Sequence, residues 1–382
     1  MKLDTRLAHA GRPAAGPVSP PVMRASTILF EDMASYDLAS TDRVSRLRYG
    51  VYGTETLFQL EKALTSLEQC FRAIVVPSGL AAVTASLGAV VSPGGHLLVA
   101  DSVYGPPRSF CDGPLVKGGV EVEYFDPMTG SELQHLVRSN TQAIVCESPG
   151  SMTFEVMDIP ALVKVGQGNG VPLILDNTWA TPVFFDAMGH GVDISIQAAT
   201  KYLNGHSDIL MGVIATSEKW WSPVRERVAD FGFSTSPDDC YLALRGRRTL
   251  TLRLRHQQAS CLNVASWLQK QPGVREVVYP ALPGDRGYSL WQRDFTGASS
   301  VFGVAFDIDN KQAVERFING LRLFGIGASW GGFESLVLPA RYTRRCAPAN
   351  RRDMTVRLHV GLEDPDDLKE DLALGLKALL AA

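Results

Sequence analysis

The sequence predicts an α/β chain with a mostly parallel central sheet and a smaller α+β C-terminal domain. Three observations lead there. Short apolar runs alternate with helical stretches over the first two thirds of the chain; those runs are continuously apolar; and the rhythm changes after Leu244. Continuous apolarity marks strands buried on both faces, which a parallel sheet with helical crossovers provides.

In chain order, residues 1–55 read as an arm rather than a domain. They are rich in Pro, Ala and Gly from Gly11 to Pro21 and basic at Arg43, Arg46 and Arg48. Such an arm is expected to drape over another surface, in an oligomer that of a neighbour. From Thr56, leucines 57, 60, 64 and 67 recur on one helical face. The strand-like runs that follow, within a domain spanning 56–245, are Ala73–Val76, His96–Ala100, Ala143–Cys146, Pro172–Leu175, Val192–Ile196 and Val213–Ala215. The C-terminal domain, 246–382, combines helical stretches (Gln257–Gln269, Lys311–Asn319) with strand-like runs (Glu276–Tyr279, Val301–Phe306, Leu336–Leu338, Val356–Val360). It closes on a helix with Asp364 as N-cap, Pro365 at the first turn, and Leu368, Leu372, Leu376 and Leu379 on one face.

Composition narrows the function. The 382 residues are 45% hydrophobic and 20% charged, the balance of a folded chain rather than a disordered one. Lys+Arg 37 against Asp+Glu 40 leaves a net charge of −3, so no overall basicity favours nucleic acid. The arginines at 245, 247, 248, 253 and 255 form a local cluster without interleaved aromatics, expected to be a solvated or inter-subunit helix. No apolar stretch is long enough for a bilayer, and the N-terminus lacks an apolar signal core, so a cytoplasmic location is expected. The six cysteines contain no C-x-x-C pair and the seven histidines no H-E-x-x-H pattern, so neither a disulfide framework nor a metal is expected. Cys146 sits within an apolar run, as a small buried hydrophobe would.

In open parallel sheets, ligands lie off the carboxyl ends of the strands. After Val76 comes Ser78-Gly79-Leu80, a strand-to-helix turn whose backbone N–H groups suit a phosphate, although such a pair can also simply cap a helix. After Ala100 a loop carries Tyr104, and after Leu175 stands Asp176. A buried carboxylate there needs a helix end, an arginine or a protonated ring nitrogen as partner. After Ile196 come Thr200 and Lys201. A lysine so close to a buried strand end is rare, and desolvation makes its amine available to trap an aldehyde. A phosphate cradle, a flat aromatic, an acid and an amine on one sheet edge match pyridoxal 5′-phosphate (PLP).

The segment Gln197-Ala198-Ala199-Thr200-Lys201-Tyr202-Leu203-Asn204-Gly205-His206-Ser207-Asp208 resembles the lysine motif of the Cys/Met-metabolism PLP enzymes. That family includes cystathionine β- and γ-lyases and cystathionine γ-synthase. The resemblance runs from Lys2-Leu3-Asp4-Thr5 to Arg357-Leu358-His359-Val360-Gly361-Leu362-Glu363-Asp364. Three segments are nearest the bacterial β-lyases: Glu147-Ser148-Pro149-Gly150-Ser151, Arg293-Asp294-Phe295-Thr296-Gly297 and Ser329-Trp330-Gly331-Gly332-Phe333-Glu334-Ser335-Leu336.

The resemblance implies a fold-type I, aminotransferase-like enzyme with residues 56–245 as its PLP-binding domain. It implies that Lys201 carries the cofactor and later moves protons, that Asp176 pairs with the ring nitrogen, and that Tyr104 stacks on the ring. Gly79, Leu80 and Thr200 would hold the phosphate. Arg357 would clamp the substrate α-carboxylate beside Ser329 and Trp330, and Tyr49 would reach a neighbouring subunit's site. Ser151 and Trp330 stand where γ-acting members usually carry Asn and Leu. The reaction implied is β-elimination from L-cystathionine, a carbon–sulfur lyase activity, with a homotetramer built from dimers that share active sites. A γ-acting relative, or a PLP-binding protein with a mainly regulatory role, are the alternatives. His206 and Asp208, inside the lysine motif, are expected to play structural hydrogen-bonding roles rather than to bind metal. One position departs: the family's Tyr-x-Arg, whose arginine reaches the phosphate, reads Tyr49-Gly50-Val51 here. Arg46, Arg48 or Tyr52 are the candidates to compensate.

Overall fold

A computed structural model describes residues 1–10, 12, 14–42, 46–308, 310–346 and 355–381; Arg43 of the basic stretch lies outside them. Seven strands form the larger sheet: β1 (Arg72–Val76), β2 (His96–Ala100), β3 (Glu121–Phe125), β4 (Thr141–Glu147), β5 (Leu173–Asp176), β6 (Ile194–Ala198) and β7 (Gly212–Thr216). Their order is β1-β7-β6-β5-β4-β2-β3. All neighbours pair in parallel except β7, which runs antiparallel to both β1 and β6. Every residue of β2 and β7 is buried, as continuous apolarity requires.

The strand-like runs of the first sheet coincide with β1, β2, β4, β5, β6 and β7, with ends displaced by up to two residues. β3 was not expected. Its sequence, Glu-Val-Glu-Tyr-Phe, alternates charge with apolar side chains because it is the sheet's edge and only its last two residues are buried.

The second sheet holds β8 (Val274–Val278), β9 (Val301–Phe306), β10 (Gly325–Ile326), β11 (Leu336–Pro339) and β12 (Thr355–His359), ordered β10-β11-β12-β9-β8. The two-residue β10 has no run long enough to announce itself. Two helices pack together beside this sheet, Lys311–Asn319 and Pro365–Leu380. The latter is capped by the Asp364 carboxylate accepting from Asp366 N, and all four of its predicted leucines are buried.

The arginine cluster needs correction. Its helix runs Leu250–Leu268, starting upstream of the expected Gln257, and two of the arginines are neither solvated nor turned to another subunit. Arg247 is fully buried and donates to the carbonyls of Leu7 and Ala10, fastening the N-terminal Leu3–His9 helix. Arg253 is buried and donates to the carbonyls of Tyr202, Leu203 and Gly246. Backbone oxygens at helix and loop ends are unsatisfied acceptors, and a guanidinium with five donors can serve several at once. Arg255 alone of these three is exposed, paired with Asp4.

All six cysteines are free thiols, and burial pushes Cys146 upward from its ordinary pKa. Among the described residues no helix is long and apolar enough to cross a membrane, and no cluster of three His, Cys, Asp or Glu forms.

Candidate active site

A cavity of about 200 Å3 opens where β1, β4, β5 and β6 end and the second sheet abuts them. Ser78, Gly79, Leu80, Tyr104, Asp176, Thr200, Lys201, Ser329, Trp330 and Arg357 all line it.

The phosphate-facing corner begins with Ser78, whose hydroxyl accepts from Ala81 N and caps the Gly79–Val90 helix. Gly79 is demanded by packing: a Cβ there would stand 2.8 Å from the Ala198 Cβ. The bare position lets the helix start lie flush against the end of β6, beside the Thr200–Lys201 loop. That loop is pinned by Thr200, whose hydroxyl accepts from Met211 N at 3.0 Å.

Asp176 ends β5. Its Oδ1 accepts from Thr178 N at 2.9 Å and Thr178 Oγ1 at 2.5 Å, while its Oδ2 has no hydrogen-bond donor among the described residues. Burial raises its pKa, opposed by the Thr178 bonds and the Lys201 charge. Lys201 Nζ donates to Ser329 Oγ at 2.6 Å and lies 5.5 Å from the centre of the Trp330 ring. Burial, reinforced by Arg357 and opposed by Asp176, lowers its pKa to about 8. At pH 7 about a tenth of such an amine is neutral, several hundred times the share of an ordinary lysine, and able to act as a base.

Arg357 comes from β12, at the centre of the second sheet. It is 4% exposed, donates to Ser329 O at 2.9 Å, and has no carboxylate partner among the described residues. A buried guanidinium without an anion is costly, and its fork suits an arriving carboxylate. Ser329 itself sits at φ +88°, a region that side chains other than glycine rarely adopt and that clusters at functional sites.

Each of these features fits a PLP-binding cavity, and the comparisons with known proteins decide the family. The family model "Cys/Met metabolism PLP-dependent enzyme" matches residues 4–377. The chain belongs to that family. It is 39% identical to the cystathionine beta-lyase of Escherichia coli (strain K12), over 99% of both chains. Against the cystathionine beta-lyase of Bordetella avium it is 38% identical, over 98% of this chain and 97% of the other. An L-alanine/L-glutamate racemase of Wolbachia pipientis wMel is 37% identical, over 99% and 98%.

The members of this family are PLP-dependent, and the cavity wall offers that cofactor fitting donors and acceptors. The unengaged Asp176 Oδ2 is an acceptor for a protonated ring nitrogen. Tyr104 leaves 41% of its surface exposed at the rim, where a ring can stack. Tyr49 is placed elsewhere: it lines a separate cavity of about 290 Å3 with Ser26, Gly50, Val51 and Ser234. Of the candidates to replace the family's missing arginine, Tyr52 engages Arg225 through its carbonyl and Arg48 lies over the Tyr36 ring.

His206 and Asp208 hold the lysine loop, the histidine through Asn204 O and the aspartate by accepting from the Asn204 amide. Sequence reasoning gave no role to Glu147 or Thr178, which also line the cavity. Glu147 is buried, accepts from Tyr104 N at 2.7 Å and Ser151 N at 2.6 Å, and is pushed up to about 7 by burial and the Asp176 charge. It pairs in register with Asp176 across β4 and β5. The strand-end rule points at it directly once β4 is extended one residue beyond Cys146.

Proposed function

We propose that this protein cleaves the Cβ–S bond of L-cystathionine by β-elimination, consuming a water and yielding homocysteine, pyruvate and ammonia. The observation that carries the reading is one cavity lined by a lysine of lowered pKa and a buried, anion-free arginine, in a chain of this family.

Bound PLP supplies an aldehyde for the substrate amine and a ring that accepts negative charge from Cα. Arg357 binds the α-carboxylate through its planar fork, next to Ser329. Lys201 removes the proton at Cα, and Lys201 or Tyr49 of a neighbouring subunit delivers a proton to the departing sulfur. Asp176, oriented by Thr178, holds the charge on the ring nitrogen, and Gly79, Leu80 and Thr200 hold the phosphate. Tyr104, fixed at its backbone by Glu147, supports the ring, and Trp330 excludes water from the amine. Residues 56–245 then form the cofactor domain, 246–382 supply Arg357, and 1–55 reach a neighbour. The assembly is a homotetramer of dimers with shared sites, working in the cytoplasm.

Proton removal at Cα is also the first act of a racemase, the activity printed for the Wolbachia relative. The two readings part at Cβ, where only a thioether carries a leaving group. The test is a panel of thioethers, L-alanine and L-glutamate presented to the PLP-loaded protein, with product identification. Pyruvate with homocysteine supports the proposal. Formation of 2-oxobutyrate moves it to γ-cleavage, and D-amino acids without any keto acid move it to racemisation.

A further inference from the structure

The Ser329–Gly332 loop has to hold a strained serine, a bulky indole and the Lys201 contact at once. Nothing in Ser329 itself explains how. His359, two residues after Arg357 on β12, is 1% exposed and lies behind that loop. Its Nε2 is 3.1 Å from Gly331 N, and its Nδ1 is 3.1 Å from Ser300 Oγ. Nε2 also lies 3.4 Å from Gly332 O, but that carbonyl already takes a 2.8 Å bond from Gln257 and the Gly331 contact is the shorter. A backbone N–H can only donate, so Nε2 is assigned as the acceptor, the ring proton to Nδ1, and Ser300 Oγ receives it. Ser300 N in turn donates to Tyr202 Oη at 2.9 Å, and Tyr202 follows Lys201 in the chain and packs on Trp330 with ring centres 5.3 Å apart.

We propose that His359 is a positioning residue: with Ser300 fixing its tautomer, it anchors Gly331 and so holds Ser329 and Trp330 against Lys201 and Arg357. The bond chain Tyr202–Ser300–His359–Gly331 ties the lysine loop to the loop that faces it. Gly331 suits this anchor, since it adopts φ +85° and a Cβ there would stand 2.8 Å from Tyr202 N. Gln257 secures the next residue by donating to Gly332 O at 2.8 Å. Burial, opposed by hydrogen bonding to Gly332 and Ser300 and reinforced by the Arg357 and Lys201 charges, lowers the imidazole pKa to about 3, so the ring stays neutral across the working pH range.

The inference rests on Arg357 taking an α-carboxylate, as in the proposed function, but its test does not need cystathionine to react. Glycine has an amine and a carboxylate and no leaving group, and its binding to the PLP-loaded protein is read from the cofactor's visible absorption. A glutamine amide reaches about as far as Nε2 and an asparagine amide about as far as Nδ1. His359→Gln therefore keeps the Gly331 bond and is expected to bind glycine within about threefold of wild type, whereas His359→Asn loses it and is expected to bind roughly 5- to 30-fold more weakly. Ser300→Ala frees the tautomer and is expected to weaken glycine in the same direction, which keeps the test open if His359→Asn does not fold. Equal losses in the Gln and Asn variants overturn the proposal, as does unchanged glycine binding in Ser300→Ala. Normal glycine binding without cystathionine cleavage in the wild type would overturn the β-lyase reading and leave this one standing.

Discussion

The cavity around Lys201 and the cavity around Tyr49 differ in what they contain. The first gathers an amine, an unengaged carboxylate oxygen and an anion-free guanidinium from two strands and a loop of one chain. Among the described residues the second is lined by small and hydroxylated side chains, with the half-exposed Tyr49 as its one aromatic and no charged side chain. The contrast teaches that a site is recognised by which reactive groups converge on it rather than by the space it encloses, since the two cavities are of comparable size.

The comparison breaks most sharply at Lys201. Lys201→Ala is expected to lower turnover of L-cystathionine by roughly 10³-fold or more, since proton transfer alone is worth about 10²–10⁴. Steady-state pyruvate release checks this. Arg357→Ala should cost about 10²-fold in kcat/KM, mostly through KM, because it removes a charge-assisted contact worth roughly 1.5–3 kcal/mol. Substrate saturation curves separate the two parameters.

Tyr49 sharpens the contrast from the other side. Tyr49→Ala is expected to lower activity markedly, yet mixing it with Lys201→Ala subunits should restore up to about a quarter of the wild-type rate. Only a dimer pairing an intact Lys201 with a neighbour's intact Tyr49 has a complete site. No recovery on mixing after dissociation and reassembly would place Tyr49 in its own subunit's chemistry. The smallest effect is on pH. A base with a pKa of about 8 loses its neutral form as pH falls, so kcat should decline by up to tenfold per unit on the acid side. Arg357→Met removes a neighbouring positive charge, raises the lysine pKa, and should shift that limb to higher pH.

How far these regions could be foreseen follows from how each is built. Asp176 and Lys201 follow apolar runs, and the rule that ligands gather at strand ends picks them out without any relative in view. Glu147 stands directly after its run just as Asp176 does, so the same rule reaches it, and only its role as acceptor for the Tyr104 and Ser151 backbone needed the structure. Arg357 and Ser329 do not obey it: one lies inside the middle strand of the second sheet and the other in a loop before β11. Only resemblance to a family brought them forward. Arg247 and Arg253 misled for a related reason, since a charge cluster in sequence says nothing about how many backbone carbonyls await it.

The antiparallel β7 has a mechanical consequence for Lys201. Ala198 at the end of β6 pairs directly with Gly212 at the start of β7, so both ends of the lysine loop are rooted side by side on one sheet. Position 212 tolerates only glycine there, because a Cβ would stand 2.2 Å from the Ser78 carbonyl oxygen. A segment rooted at two adjacent points cannot swing like a gate on a single hinge. The amine must find every atom it serves by rotating its own four methylene bonds, so the length of one side chain sets the working radius of the enzyme.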